Sequence, residues 1–68
     1  MSNTNSESSS LHKQAASDHQ EAASRHLKAA ACHDKNEVSD AKESAKSAMG
    51  CCNNAQKSTA TACKSSAM

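Results

Sequence analysis

This 68-residue chain has no Phe, Tyr, Trp or Pro and a single Gly, and its eight Lys and Arg nearly balance its seven Asp and Glu. Its large aliphatic residues are Leu11, Leu27 and Val38, too few for an ordinary hydrophobic core. The balanced charge and the missing aromatic residues exclude the basic stripes and stacking platforms of nucleic-acid-binding proteins. The sequence contains no apolar run near 20 residues and no signal-peptide segment, so we expect a cytoplasmic protein without a membrane partner.

The first part of the chain divides into a polar tail and a helix. Residues 1–10 are almost entirely Ser, Asn and Thr without periodicity, which predicts a disordered tail. Ser9 or Ser10 is then available to cap the helix that follows. Residues 11–35 are mainly helix-forming, and Glu21 lies four residues before Arg25, a favourable spacing for an ion pair. We therefore predict a first helix over residues 11–35.

The histidines form a heptad column within this helix. They occur at seven-residue intervals, at His12, His19, His26 and His33. A seven-residue repeat stacks these side chains along one stripe of a helix, with about 10 Å of rise between neighbours. Alanines frame the stripe on both sides, at Ala15, Ala22 and Ala29 and at Ala16, Ala23 and Ala30. We expect the histidine stripe to face a partner helix.

The second half of the chain predicts a turn and another helix. Asn36 tolerates the left-handed conformation that ends helices, so we place a turn at residues 36–37. A second helix follows over residues 38–64, although Gly50 and the pair Asn53-Asn54 weaken its helical propensity. This helix carries its own heptad column at Ala41, Ala48, Ala55 and Ala62, flanked on one side by Ala45, Cys52, Thr59 and Ser66.

Folding the chain back at residue 37 brings the two columns together. His12 comes level with Ala62, and the three other pairs are His19 with Ala55, His26 with Ala48, and His33 with Ala41. Large rings opposite small methyl groups predict an all-α, antiparallel two-helix hairpin over residues 11–66. Alanine faces bury little apolar surface against an ordering cost of about 1.5 kcal/mol per residue, so we expect two hairpins to dimerise into a four-helix bundle.

A resemblance supports the hairpin. The segment His19-Gln20-Glu21-Ala22-Ala23 precedes further elements in a fixed order: His26, Ala29-Ala30, His33, Ala41, Ala45, Ala48, Gly50 and Cys51-Cys52. Over residues 11–66 this order resembles a group of small bacterial His/Ala-rich proteins in which His-x-x-Glu-Ala-Ala repeats by heptads. Asn36 stands where that group has glycine, and Cys51-Cys52 stands where it has paired histidines. The resemblance implies a helical hairpin and carries no particular activity.

Metal binding is the chemical hypothesis that the histidines and cysteines raise. Imidazole and thiolate suit Zn, Cu and Ni ions, but histidines seven residues apart cannot chelate one ion from a single helix. A site needs ligands from the second helix or from a second copy. The candidate ligands are His12, His19, His26, His33, Cys51, Cys52 and Cys63. The alternative is that the histidines are packing residues and the cysteines are small, reduced apolar residues.

Three functional classes follow from these patterns. A small non-enzymatic helical module for self-association or interaction is the first, and a metal-binding or metal-buffering protein is the second. The third is a disordered stress-protectant chain, because residues 40–48 resemble the Ala/Lys/Glu repeats of late-embryogenesis-abundant proteins. We do not expect an enzyme, because two alanine-rich helices offer no pocket that would exclude water around a Cys-His pair.

Overall fold

Two long helices make up the fold in the computed structural model, which describes the backbone of residues 2–67 and the side chains of residues 5–67. Helix α1 spans Ser2–Asp34 and helix α2 spans Val38–Ser66. They lie side by side and antiparallel in a rod measuring 53 × 13 × 11 Å. The predicted all-α hairpin is confirmed.

Helix α1 begins earlier than the sequence predicts. The expected disordered tail at residues 1–10 is helical from Ser2 onward, and Met1 lies outside the described residues. No Gly or Pro interrupts this segment, and the C-terminal end of α2 lies beside its last residues. The Ser8 hydroxyl reaches across to the Ser65 hydroxyl, with 2.7 Å between the oxygens. This contact supports the helix at the end of the Ser-rich segment despite its weak helical propensity, and Ser9 and Ser10 lie inside the helix rather than capping it.

The turn has the geometry predicted for Asn36. This residue has a φ of 60°, in the left-handed region. The backbone N–H of Asn36 donates to the His33 carbonyl at 3.0 Å, and the backbone N–H of Glu37 donates to the Cys32 carbonyl at 2.8 Å. These two hydrogen bonds form a Schellman motif, which satisfies carbonyl groups at the end of α1. The chain reverses within residues 35–37 and enters α2 at Val38.

The seam between the helices consists of alanine methyl groups. On α2 the heptad column is almost completely buried, with Ala41 and Ala48 at 0 % exposure and Ala55 and Ala62 at 1 %. On α1 the buried residues are Ala15, Ala22 and Ala29. Alanines at these positions let the two backbones approach closely along the whole seam. We call these seven residues the alanine seam.

The histidines do not lie in this seam, which corrects the prediction. All four are exposed, and the alanines that precede His19, His26 and His33 by four residues face α2 instead. A methyl column opposite a methyl column allows closer helix packing than a column of imidazoles, so the rings move to the edge of the contact.

We predict that Asn36 limits the stability of the turn. Asn36→Ala is expected to lower the free energy of unfolding by about 1 kcal/mol, because a Cβ without a local hydrogen-bonding group is disfavoured in the left-handed region. Asn36→Gly is the matched control and should leave stability unchanged or raise it. Urea unfolding followed by far-UV circular dichroism, at one chain concentration, measures both. Equal stability of the Ala and Gly variants would contradict the left-handed turn.

Candidate functional site: the histidine face

One side of the hairpin carries the histidines together with small uncharged residues. Each of His19, His26 and His33 follows an alanine of the seam by four residues, which rotates it about 40° from the seam around α1. The alanine column next to the rings on the outer side is exposed. We define the histidine face as the four histidines with Ala16, Ala23 and Ala30 of α1 and Ala45, Cys52, Thr59 and Ser66 of α2.

Three of the four imidazoles contact a side chain of α2. The Nε2 atom of His12 lies 2.6 Å from the Ser66 hydroxyl oxygen. The Nε2 atom of His19 lies 2.7 Å from the Thr59 hydroxyl oxygen. The third histidine differs, because the Nε2 atom of His26 lies 3.3 Å from the Cys52 sulfur. These contacts close the edge of the alanine seam on this side.

Each of these three imidazoles contacts a side chain that lies one helical turn farther along α2 than the sequence predicts. Each partner lies four residues after the alanine that was expected opposite the ring, as Ser66 does relative to Ala62. Side chains on a helix lean toward its N-terminus, and the N-terminal end of α1 lies beside the C-terminal end of α2. The rings therefore reach farther along α2 than their Cα atoms do. The same register puts Ala45 opposite His33, where a methyl group offers no polar atom.

The predicted metal ligands are mostly kept apart. Among the described residues, no group of three or more His, Cys, Asp or Glu side chains is arranged to hold a metal ion. Cys51 is half-buried on the other side of the seam near Arg25, and Cys63 is exposed. All four cysteines, including Cys32, are free thiols. The contact between His26 and Cys52 is the one His–Cys hydrogen bond in the described part of the chain.

The opposite side of the hairpin is charged. Arg25 forms an ion pair with Glu21 at 2.9 Å, as its sequence spacing predicts, and this carboxylate raises the pKa of the guanidinium. Near the turn, an open groove of about 580 Å³ runs between cationic residues of α1 and acidic residues of the turn and α2. The cations are Arg25 and Lys28, and the acids are Glu37, Asp40 and Glu43. No histidine lines this groove.

Asp18 joins the two helices on the charged side, a contact that the sequence analysis missed. The Ser58 hydroxyl donates to one carboxylate oxygen of Asp18, and the Gln14 amide donates to the other at 2.9 Å. These hydrogen bonds, that from Ser58 first, lower the pKa of Asp18, and the charge of His19 acts in the same direction. The position of Asp18 in the sequence could have predicted this contact, because Asp18 precedes Ala22 by four residues and therefore borders the seam.

Comparisons with known proteins found no matching family model, no matching curated protein and no matching solved structure. Neither helix in the described part of the chain has an apolar stretch long enough to cross a lipid bilayer.

We predict that Asp18 makes hairpin stability depend on acid pH. Its pKa in the folded chain lies below the ordinary 3.8, so the carboxylate stabilises the fold above that pH, and this stabilisation is lost as the pH falls through the lower folded value. Asp18→Asn should therefore be less stable than wild type at pH 6, and the difference should shrink toward pH 3. Urea unfolding at several pH values measures this.

Ser58→Ala tests the cause of the Asp18 effect. It removes the main hydrogen-bond donor to Asp18, so the stability of this variant should depend on pH nearly as little as that of Asp18→Asn. Combining the two substitutions should change this pH dependence little further. An Asp18→Asn variant that keeps the wild-type slope between pH 6 and pH 3 would contradict the interaction.

Proposed function

We propose that this chain is a non-enzymatic helical module that pairs with a second copy of itself through the histidine face, forming a four-helix bundle. The observation that carries the proposal is the contrast between the two sides of the hairpin. One side is charged, whereas the centre of the other, the histidine face, holds uncharged side chains, with Lys42 at its border one heptad before Met49.

The thin core of the single hairpin supports a second copy. Its buried apolar residues are all alanines, and no large side chain among the described residues is fully buried. An alanine contributes a single methyl group, and burial of one such group is worth about 0.8 kcal/mol. In chains below about 70–80 residues a single hydrophobic core rarely supplies more than about 3–5 kcal/mol, and natural small proteins add disulfides, a metal or oligomerisation. The cysteines are free, so disulfides do not stabilise this hairpin.

The composition of the histidine face supports its use as the interface. None of its positions holds Asp, Glu, Lys or Arg, whereas the opposite side carries Asp18, Glu21, Arg25 and Lys28. The fully buried centre of a protein interface is depleted in charged residues in the same way. With a hairpin 53 Å long and 13 Å wide, one broad side approaches the roughly 800 Å² per partner that a specific interface buries.

Exposed apolar side chains border the same surface. Val38 is 55 % exposed and continues the column of Ala45, while Met49 is 67 % exposed and lies four residues after Ala45. Leu27 is 72 % exposed and follows Ala23 of the histidine face by four residues. A second hairpin against this face would cover part of this apolar surface.

We predict that a charge on the histidine face breaks the dimer. Ala23→Glu should weaken dimerisation at least tenfold, because an uncompensated buried charge costs several kcal/mol and 1.4 kcal/mol is already tenfold. Ser24→Glu is the matched control: it adds the same charge one residue later, where the side chain points away from both the seam and the histidine face. Size-exclusion chromatography with light scattering gives the mass, which should be twice 7.1 kDa for wild type and for Ser24→Glu.

Three results would contradict the proposal. A helical wild-type monomer at all concentrations would show that the single hairpin is sufficient. A disordered wild-type monomer would instead favour the stress-protectant alternative. Equal dimerisation of the two Glu variants would place the interface on another surface.

Metal binding is the second candidate function, and the contact between His26 and Cys52 favours it. This contact joins a nitrogen and a sulfur ligand on the surface that we propose as the interface.

A further inference from the structure

Each histidine and the α2 side chain beside it form one layer of the histidine face, and the layers differ in chemistry. From the open end of the hairpin to the turn, the histidines stand beside Ser66, Thr59, Cys52 and Ala45 in turn. Hydroxyl and methyl groups are poor partners for a soft metal ion, whereas thiolate and imidazole are the usual ligands of Zn²⁺. The layer of His26 and Cys52 is therefore the one layer of this face with two good ligands.

The geometry of this pair fits a shared ion. The Nε2 atom of His26 and the sulfur of Cys52 are 3.3 Å apart. Zinc bonds of about 2.3 Å to sulfur and about 2.0–2.1 Å to nitrogen, at a tetrahedral angle, separate the two ligand atoms by about 3.5 Å. The observed separation of the two ligand atoms is within a few tenths of an ångström of this value. The pair lies at the surface, with His26 exposed and Cys52 half-buried, so an ion can reach it.

One hairpin supplies half of a tetrahedral site. The missing ligands must come from elsewhere, because among the described residues no third His, Cys, Asp or Glu joins this pair. A two-fold axis running lengthwise over the middle of the histidine face places every layer opposite the same layer of the second copy. This arrangement also overlaps the full 53 Å length of the two hairpins. It brings a second His26 and a second Cys52 to the first pair.

We propose that two copies of this chain bind one Zn²⁺ between them through His26 and Cys52 of each copy, in a Cys₂His₂ site at the interface. The inference rests on the proposed pairing through the histidine face and specifies its ligand chemistry. The thiols lose their protons on binding and the imidazoles bind through Nε2, so zinc binding releases up to two protons per dimer. The ion then fixes the register of the two hairpins.

The test is a Zn²⁺ titration of the reduced full-length chain by calorimetry, with native mass spectrometry of the product. We expect one Zn²⁺ per two chains. Cys52→Ser and His26→Ala should each lower the affinity by about 100-fold or more, since loss of even an outer-shell partner of a zinc ligand costs 10–100-fold. Cys51→Ser and Cys32→Ser are the matched controls, because both thiols lie outside the histidine face, and both variants should retain binding within a few-fold of wild type.

The outcomes separate this inference from the pairing itself. A metal-free dimer that binds no Zn²⁺, or whose affinity is unchanged by Cys52→Ser, overturns the site and leaves the pairing intact. One Zn²⁺ per single chain also overturns it. A monomer that dimerises only when Zn²⁺ is added, with loss in Cys52→Ser, supports the site and contradicts metal-independent pairing. A monomer that neither pairs nor binds zinc overturns both.

Discussion

Close packing of alanine on alanine is the contact on which the rest of this structure depends. Methyl groups on both sides of the seam let the two helices approach closely along it, and the four seam alanines of α2 are at most 1 % exposed. This approach brings the flanking side chains within hydrogen-bonding distance. The imidazoles meet Ser66, Thr59 and Cys52 on one side, and Asp18 meets Ser58 on the other.

The small apolar area of the same seam is the reason why we propose that a second copy covers one side of the hairpin. Methyl groups alone bury little apolar surface, and the hydrogen bonds at the edges are partly exposed, so each adds about 1 kcal/mol at most. The neutral histidine face offers the surface that a second hairpin can cover, and the charged side with Arg25 and Glu21 stays in water. The proposed pairing, the proposed zinc site and the unusual composition would then have a common cause. In this proposal, a chain without aromatic residues gains stability from a second copy and from a metal ion rather than from a larger core.

Local signals in the sequence predicted the outline of this fold. Asn36 marked the turn because few residues adopt the left-handed conformation, and the heptad columns predicted two antiparallel helices. The sequence did not show which of the columns around the rings faces α2, because those at Ala15 and at Ala16 are equally small. The packing of the two helices places the column of Ala15 against α2 and leaves the column of Ala16 exposed. The helix around Ser8 and the partners of the rings also depend on α2, through the contact of Ser8 with Ser65 and the lean of the side chains toward the N-terminus.

The central claim is that the alanine seam holds the hairpin only weakly without a second copy. The most direct measurement is the far-UV circular dichroism of the reduced, metal-free chain over a wide dilution series, with the mass followed by light scattering in the same samples. The account predicts that helicity falls as the mass drops from the dimer to the 7.1 kDa chain. Helicity that stays constant while the mass falls to that of the monomer would contradict it.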